Sequence, residues 1–168
     1  ADSIHFPDSL RYSTLKNGRI VFGGGGIMPD IFVSLDTSNY SDYYRDIVRK
    51  GILNRFLLDY SDKNRAKLKS KYPDFETFDK KFEVTDDFFE ELIAAAEKEK
   101  VERKPDEIEK SKHHIIVQMK ALIARNLFDT NEFFIIINRE DSAIQKAIEI
   151  ISDEKLYQSK LIKKVASN

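Results

Sequence analysis

Residues 23–26 are four consecutive glycines, four of the six in the chain, set between two apolar runs, Arg19-Ile-Val-Phe22 and Ile31-Phe-Val33. Glycine loses more backbone freedom on folding than any other residue. A folded chain therefore keeps such a run only where side chains do not fit or where the backbone needs unusual dihedrals. Upstream, Leu10 to Lys16 and Arg19 to Phe22 flank Asn17-Gly18. Asn-Gly is the preferred pair for a type I′ turn, because both central residues need positive φ. This predicts a β-hairpin with Asn17 and Gly18 at its tip. Pro29 and Asp30 then lead into Ile31–Val33, read as a third short strand with Pro29 at its start or edge. Two or three strands this short need something to pack on.

From Asp36 the periodicity changes. Tyr40, Tyr43, Tyr44, Ile47, Val48, Ile52, Phe56 and Tyr60 recur at three- and four-residue steps and predict a helix capped by Ser38 or Ser41, with Gly51 inside it. Glycine in a helix costs about 1 kcal/mol relative to alanine, so a close neighbour is expected there. The basic run to Lys71 ends at Tyr72-Pro73, and Phe75, Phe78 and Phe82 space out a short amphipathic segment. Thr85-Asp-Asp reads as a helix cap with first-turn acids. Phe88, Phe89, Leu92, Ile93 and Ala96 give that helix its buried stripe.

Residues 97–112 hold twelve charges, six of each sign. They read as a solvated helix end, a break, and a new helix with Pro105 near its first position. Ile108, Ile115, Ile116, Met119, Leu122, Ile123 and Leu127 form the next stripe. Asn131 to Ile137 suits a strand by composition and a buried helix equally, and periodicity does not decide. Asp141-Ser142 caps a helix over Ala143–Ile151, and the lysine-rich tail after Ser152 is amphipathic and frays. The fold class is mainly α: an N-terminal hairpin with a short strand over residues 1–36, followed by a helical bundle over residues 37–168.

Several function classes fall away on composition. The chain of 168 residues is 41% hydrophobic and 34% charged, with a net charge of −1, so no global field favours nucleic acid or an anionic membrane. The nineteen Phe and Tyr fall at core spacing without interleaved basic residues, so core packing explains them better than base stacking. No run is long enough to span a bilayer, so no membrane insertion is expected, and no signal peptide opens the sequence. With no cysteine, thiol chemistry and disulfides are excluded. His113 and His114 are adjacent, so on a helix they diverge by about 100° and share no metal; His5 is remote. Neither a metal nor another cofactor is expected.

Other signals have bland readings. Gly23–Gly26 lacks the Gly-Lys-Ser/Thr and following helix of a phosphate cradle. Ser152-Asp-Glu-Lys155 has the Ser-x-x-Lys spacing of some serine acylases, but a nucleophilic pair needs a buried lysine, and a serine cap accounts for the same letters. Asp86-Asp87 and Glu90-Glu91 read as solvent charge near a helix start.

The stretch Thr14–Val33, with Gly18, Arg19, Gly23, Gly24, Gly25, Gly26, Ile27, Pro29 and Asp30, resembles the end of the catalytic region in the carboxy-terminal processing (tail-specific) serine peptidases of S41 type. Their wording there is close to GRxVYGGGGIxPD. Ile47–Tyr60 and Asn138–Ala147 are similar to later helices of the same family, which favours helix for residues 131–137. The resemblance implies that this chain is the C-terminal portion of such a peptidase, with the catalytic serine and lysine upstream of Ala1. It implies partners in the upstream catalytic and PDZ-like domains and in the parent's protein substrates, a place on the periplasmic side of the cell envelope, and no catalysis by this portion alone. The helical body would then be a cap or a homodimer surface. The competing reading is a helical protein–protein interaction module without peptidase parentage.

Overall fold

The computed structural model describes residues 7–16, 18–24, 29–35 and 39–161. The chain divides into two compact units, one of residues 1–35 with 142–168 and one of residues 36–141. The last helices thus fall in the same unit as the glycine-rich head.

In the first unit a 3-10 turn at Asp8–Leu10 leads into β1 (Arg11–Ser13), which pairs antiparallel with β2 (Ile20–Phe22) in the register Arg11↔Phe22, Tyr12↔Val21, Ser13↔Ile20. The expected hairpin is present, but its closure is longer than a two-residue Asn-Gly turn. Thr14 pairs with Arg19, leaving residues 15–18 as the loop. The reason is Thr14, which collects several donors. Its carbonyl accepts from Gly18 N–H at 3.0 Å, and its hydroxyl accepts from Arg19 N–H at 3.0 Å. Gly18 still needs its freedom, with φ +57°, while Asn17 lies outside the described residues. The expected third strand is not formed: Ile31–Val33 joins no ladder among the described residues. Pro29 has no amide to donate, and Ile31, Phe32 and Val33 instead line a groove with Ala143, Ala147 and Ile150 of α7 (Ser142–Ser152). α8 (Glu154–Leu161) follows, capped by Asp153, whose Oδ1 accepts from Leu156 N–H at 3.0 Å, rather than by Ser152.

The second unit carries the helical core. α1 (Asp42–Arg49) starts at Ser41, whose hydroxyl accepts from Tyr44 N–H at 3.1 Å. The predicted single helix through Gly51 is two helices, because Gly51 adopts φ +68°, ψ +15° and separates α1 from α2 (Ile52–Lys71). A left-handed residue cannot continue a right-handed helix. α3 (Phe75–Lys81) is capped by Asp74 and α4 (Asp86–Lys98) by Thr85, each side chain accepting from the amide three residues on. α4 ends in a Schellman pair, Val101 N–H to Ala96 O and Lys100 N–H to Glu97 O, with Lys100 at φ +59°. α5 (Pro105–Leu127) has Pro105 at its start, where the missing amide costs nothing. Residues 131–137 are helical within α6 (Thr130–Ile137).

α5 packs against α1, α2 and α6. Ile47, Leu57, Leu92, Ile93, Ile115, Met119 and Ile123 are fully buried. A polar latch fixes α1 on α5. Ser111, completely buried, accepts from Ser41 N–H at 3.0 Å, lies 2.7 Å from Asn39 O and 2.8 Å from the Ser41 hydroxyl, and Glu107 accepts from Tyr43 N–H at 2.6 Å. Buried polar groups must find such partners, because an unmade bond costs about 1–3 kcal/mol.

Candidate functional site

The glycine-rich head is built by close approach. Gly23 N–H donates to Leu10 O at 2.8 Å, which draws the start of the run across β1. A β-carbon at Gly23 would lie 3.0 Å from Cε2 of Tyr12. At Gly24, φ is +114° and a β-carbon would lie 2.9 Å from Cδ1 of Leu10. Both glycines thus bring the backbone close under the Tyr12 and Leu10 side chains, which a β-carbon would push aside, and Gly24 is required by its dihedral. Across the run, Arg19 Nη1 meets Asp30 Oδ1 at 2.6 Å. The arginine that follows the hairpin loop and the aspartate that follows Pro29 thus tie the two ends of the glycine segment together. Gly25, Gly26 and Ile27 lie outside the described residues, as does His5.

This arrangement is a scaffold rather than a reaction centre. Arg19 and Asp30 neutralise each other, and the Thr14 hydroxyl is engaged by the backbone of Arg19. What the head does offer is uncovered apolar surface: Tyr12 is 57% exposed, Leu15 fully, Phe32 72% and Leu35 77%. Strands of three residues that pair only with each other among the described residues, and apolar side chains in water, are a surface suited to being covered by other protein.

The remaining sequence candidates are scattered. Ser152 and Lys155 are both exposed, Ser152 as the last residue of α7, so no buried environment surrounds the Ser-x-x-Lys spacing. His113 is exposed and bonds Glu140 at 3.0 Å. His114 lies edge-on to Tyr40 and Tyr44, 4.7 Å from each ring, and burial, then His113, holds its pKa below the usual imidazole value. Among the described residues no three His, Cys, Asp or Glu side chains gather as a metal site. Asp86 pairs with Lys112 at 2.9 Å and Glu90 with Arg103 at 2.8 Å, so these acids are surface ion pairs. No described helix is long and apolar enough to cross a membrane.

Sequence reasoning missed the Ser41–Ser111 latch and the cluster in which Asp79 receives Arg139 through both oxygens, at 2.8 and 2.7 Å, with Lys120 Nζ 3.6 Å away. Both join residues 60–70 positions apart, and no local pattern announces such pairs.

Residues 43–129 match the model of a family of unknown function, DUF8443, over slightly more than half the chain. The chain belongs to this family. The DUF8443 segment runs from the first turn of α1 to just past the end of α5, wholly within the second unit. The Gly51 junction, Ser111 and the α2–α5 core therefore fall within the matched segment, whereas Asn39 and Ser41, the partners of Ser111, and the glycine-rich head lie outside it. No curated protein and no solved structure matches the chain.

Proposed function

We propose that the chain is the C-terminal portion of a carboxy-terminal processing serine peptidase of S41 type. Its glycine-rich head would brace a catalytic domain that carries the serine–lysine pair and a PDZ-like substrate-holding domain. The observation that supports this reading is that Arg19, Gly23, Gly24 and Asp30, four letters of the resembled motif, lie together in the head: a 2.6 Å ion pair joins Arg19 to Asp30, and the two glycines pass close under Tyr12 and Leu10, Gly24 with φ +114°. The exposed Tyr12, Leu15, Phe32 and Leu35 beside it supply the face that a catalytic domain would cover. In this reading the helical unit is a cap or a homodimer surface, the protein works on the periplasmic side of the envelope, and the 168-residue chain alone cleaves nothing.

The test is fluorophosphonate labelling of the protein encoded by the whole reading frame, beside the 168-residue chain. The expected result is one labelled serine N-terminal to residue 1, cleavage of peptide tails by the longer protein, and no label on the shorter one. Absence of label on the longer protein, or label at Ser152, overturns the proposal. The first of those outcomes would favour a helical interaction module instead. The adjacent exposed Phe134 and Ile135 on α6, and a family match confined to the helical unit, are the observations on that side.

A further inference from the structure

A small cavity of about 210 Å³ opens in the helical unit between the C-terminal half of α2 and the segment joining α3 to α4. Its apolar lining is Leu68, Phe82 and Phe88, all buried. Of its polar lining, Asn64 donates to Tyr60 O at 2.9 Å and the Thr85 hydroxyl accepts from Phe88 N–H at 3.2 Å, while the two tyrosine hydroxyls are left without a hydrogen bond among the described residues. Tyr72 is 4% exposed, but its hydroxyl is not a buried atom; like that of Tyr60 it bonds no other described residue and opens to solvent in the cavity. Lys71 Nζ lies 5.2 Å from the centroid of the Tyr72 ring, and burial foremost, then Glu91 and Tyr72, against Lys71, pushes the Tyr60 pKa up. Lys67 and Lys71, one helical turn apart, line the same cavity, and neither has an ion-pair partner among the described residues. Glu83 is the one acid in the lining, against these two lysines.

Two donor phenols and two ammonium groups beside a floor of aromatic rings call for an anion joined to an apolar body. The volume is below the roughly 300–1,000 Å³ of pockets for drug-sized ligands, so the body is compact. We propose that this cavity binds a carboxylate carried on a small apolar group, with the carboxylate at Lys67, Lys71 and the tyrosine hydroxyls and the apolar part on Phe82 and Phe88. A free short-chain acid and the C-terminal residue of a peptide share that chemistry. The proposal stands on the helical unit alone and is independent of the peptidase reading.

The experiment is titration of the 168-residue chain with hexanoate, hexanol and hexylammonium, followed by aromatic C–H chemical shifts of Tyr60, Tyr72, Phe82 and Phe88. Hexanoate is expected to saturate these shifts at millimolar concentration, with hexanol at least about tenfold weaker and hexylammonium without effect. K67Q/K71Q, at exposed positions that leave the core intact, is expected to weaken hexanoate about tenfold, and Y72F is expected to weaken it also. A short peptide ending in free leucine, compared with its amide, separates the sources. Competition by the free form only assigns a peptide terminus, and no competition by either assigns a small acid. Equal binding of hexanol and hexanoate, indifference to K67Q/K71Q, or no shift at these rings overturns the proposal.

Discussion

Replacing Gly51 by alanine separates two descriptions of the α1–α2 junction by the sign of its effect. Inside a continuous helix, Gly→Ala stabilises by about 0.8–1.0 kcal/mol. At φ +68° the β-carbon meets the strain of the left-handed region, about 1–2 kcal/mol. The alanine recovers about 0.4–1 kcal/mol by restricting the unfolded chain. The new methyl would also stand 3.2 Å from Arg55 Nη1. That guanidinium is 57% exposed and can swing away, giving up its 2.8 Å bond to Lys50 O at a cost of a few tenths of a kcal/mol. The net is a destabilisation of about 1 kcal/mol. For a chain of this size that is about 2–4 °C in Tm. Urea denaturation followed by far-ultraviolet circular dichroism reads it as a lower midpoint at unchanged slope. Asn, which tolerates the left-handed region, should lose less than Ala. A midpoint for G51A above that of the wild type would refute the reasoning.

Tyr43 is 1% exposed, its hydroxyl has no partner, and burial foremost pushes its pKa up to about 12. Y43F therefore removes an unsatisfied group and should leave stability unchanged or raise it by about 1 kcal/mol in the same denaturation assay; a loss of about 2 kcal/mol would show the hydroxyl to be bonded. Asp79 is held below the usual aspartate value of 3.8, chiefly by its hydrogen bonds from Arg139. Because the folded value is the lower one, its contribution is fully present above the unfolded pKa and disappears as pH falls through the folded pKa. The stability gap between wild type and D79N should thus be constant above about pH 5 and shrink below about pH 4. A gap independent of pH across that acid range would contradict the assignment.

What the sequence disclosed was local chemistry. Thr85 and Pro105 mark helix starts because a hydroxyl accepts from the amide three residues on and a proline leaves one unpaired amide fewer, whereas the Asp74 cap of α3 went unread. The stripe from Phe88 to Ala96 was legible for the same reason, since one helix face is set by spacing alone. Gly51 misled because apolar periodicity continues on both sides of it, and spacing carries no record of φ. The hairpin was legible from its flanks, but Thr14 moved the loop by taking the Arg19 amide on its side chain. Ile31–Val33 has the composition of a strand, yet a ladder needs a neighbour, and α7 took that role. Of the glycine motif, the sequence announced crowding; that Tyr12 and Leu10 do the crowding, and that Arg19 and Asp30 clasp across it, needed coordinates.

Ser41 and Ser111 are bonded across 70 positions, and α5 contacts α1, α2 and α6. On the ribosome, α1 and α2 therefore emerge with the sides that α5 shelters uncovered, although they pack on each other and α2 on α4, and α5 leaves the exit tunnel only after all three. At about 5–20 residues per second, several seconds separate the appearance of Ser41 from that of Ser111, an interval in which a nascent chain of this family would depend on chaperones or on its own charged flanks to stay out of aggregates.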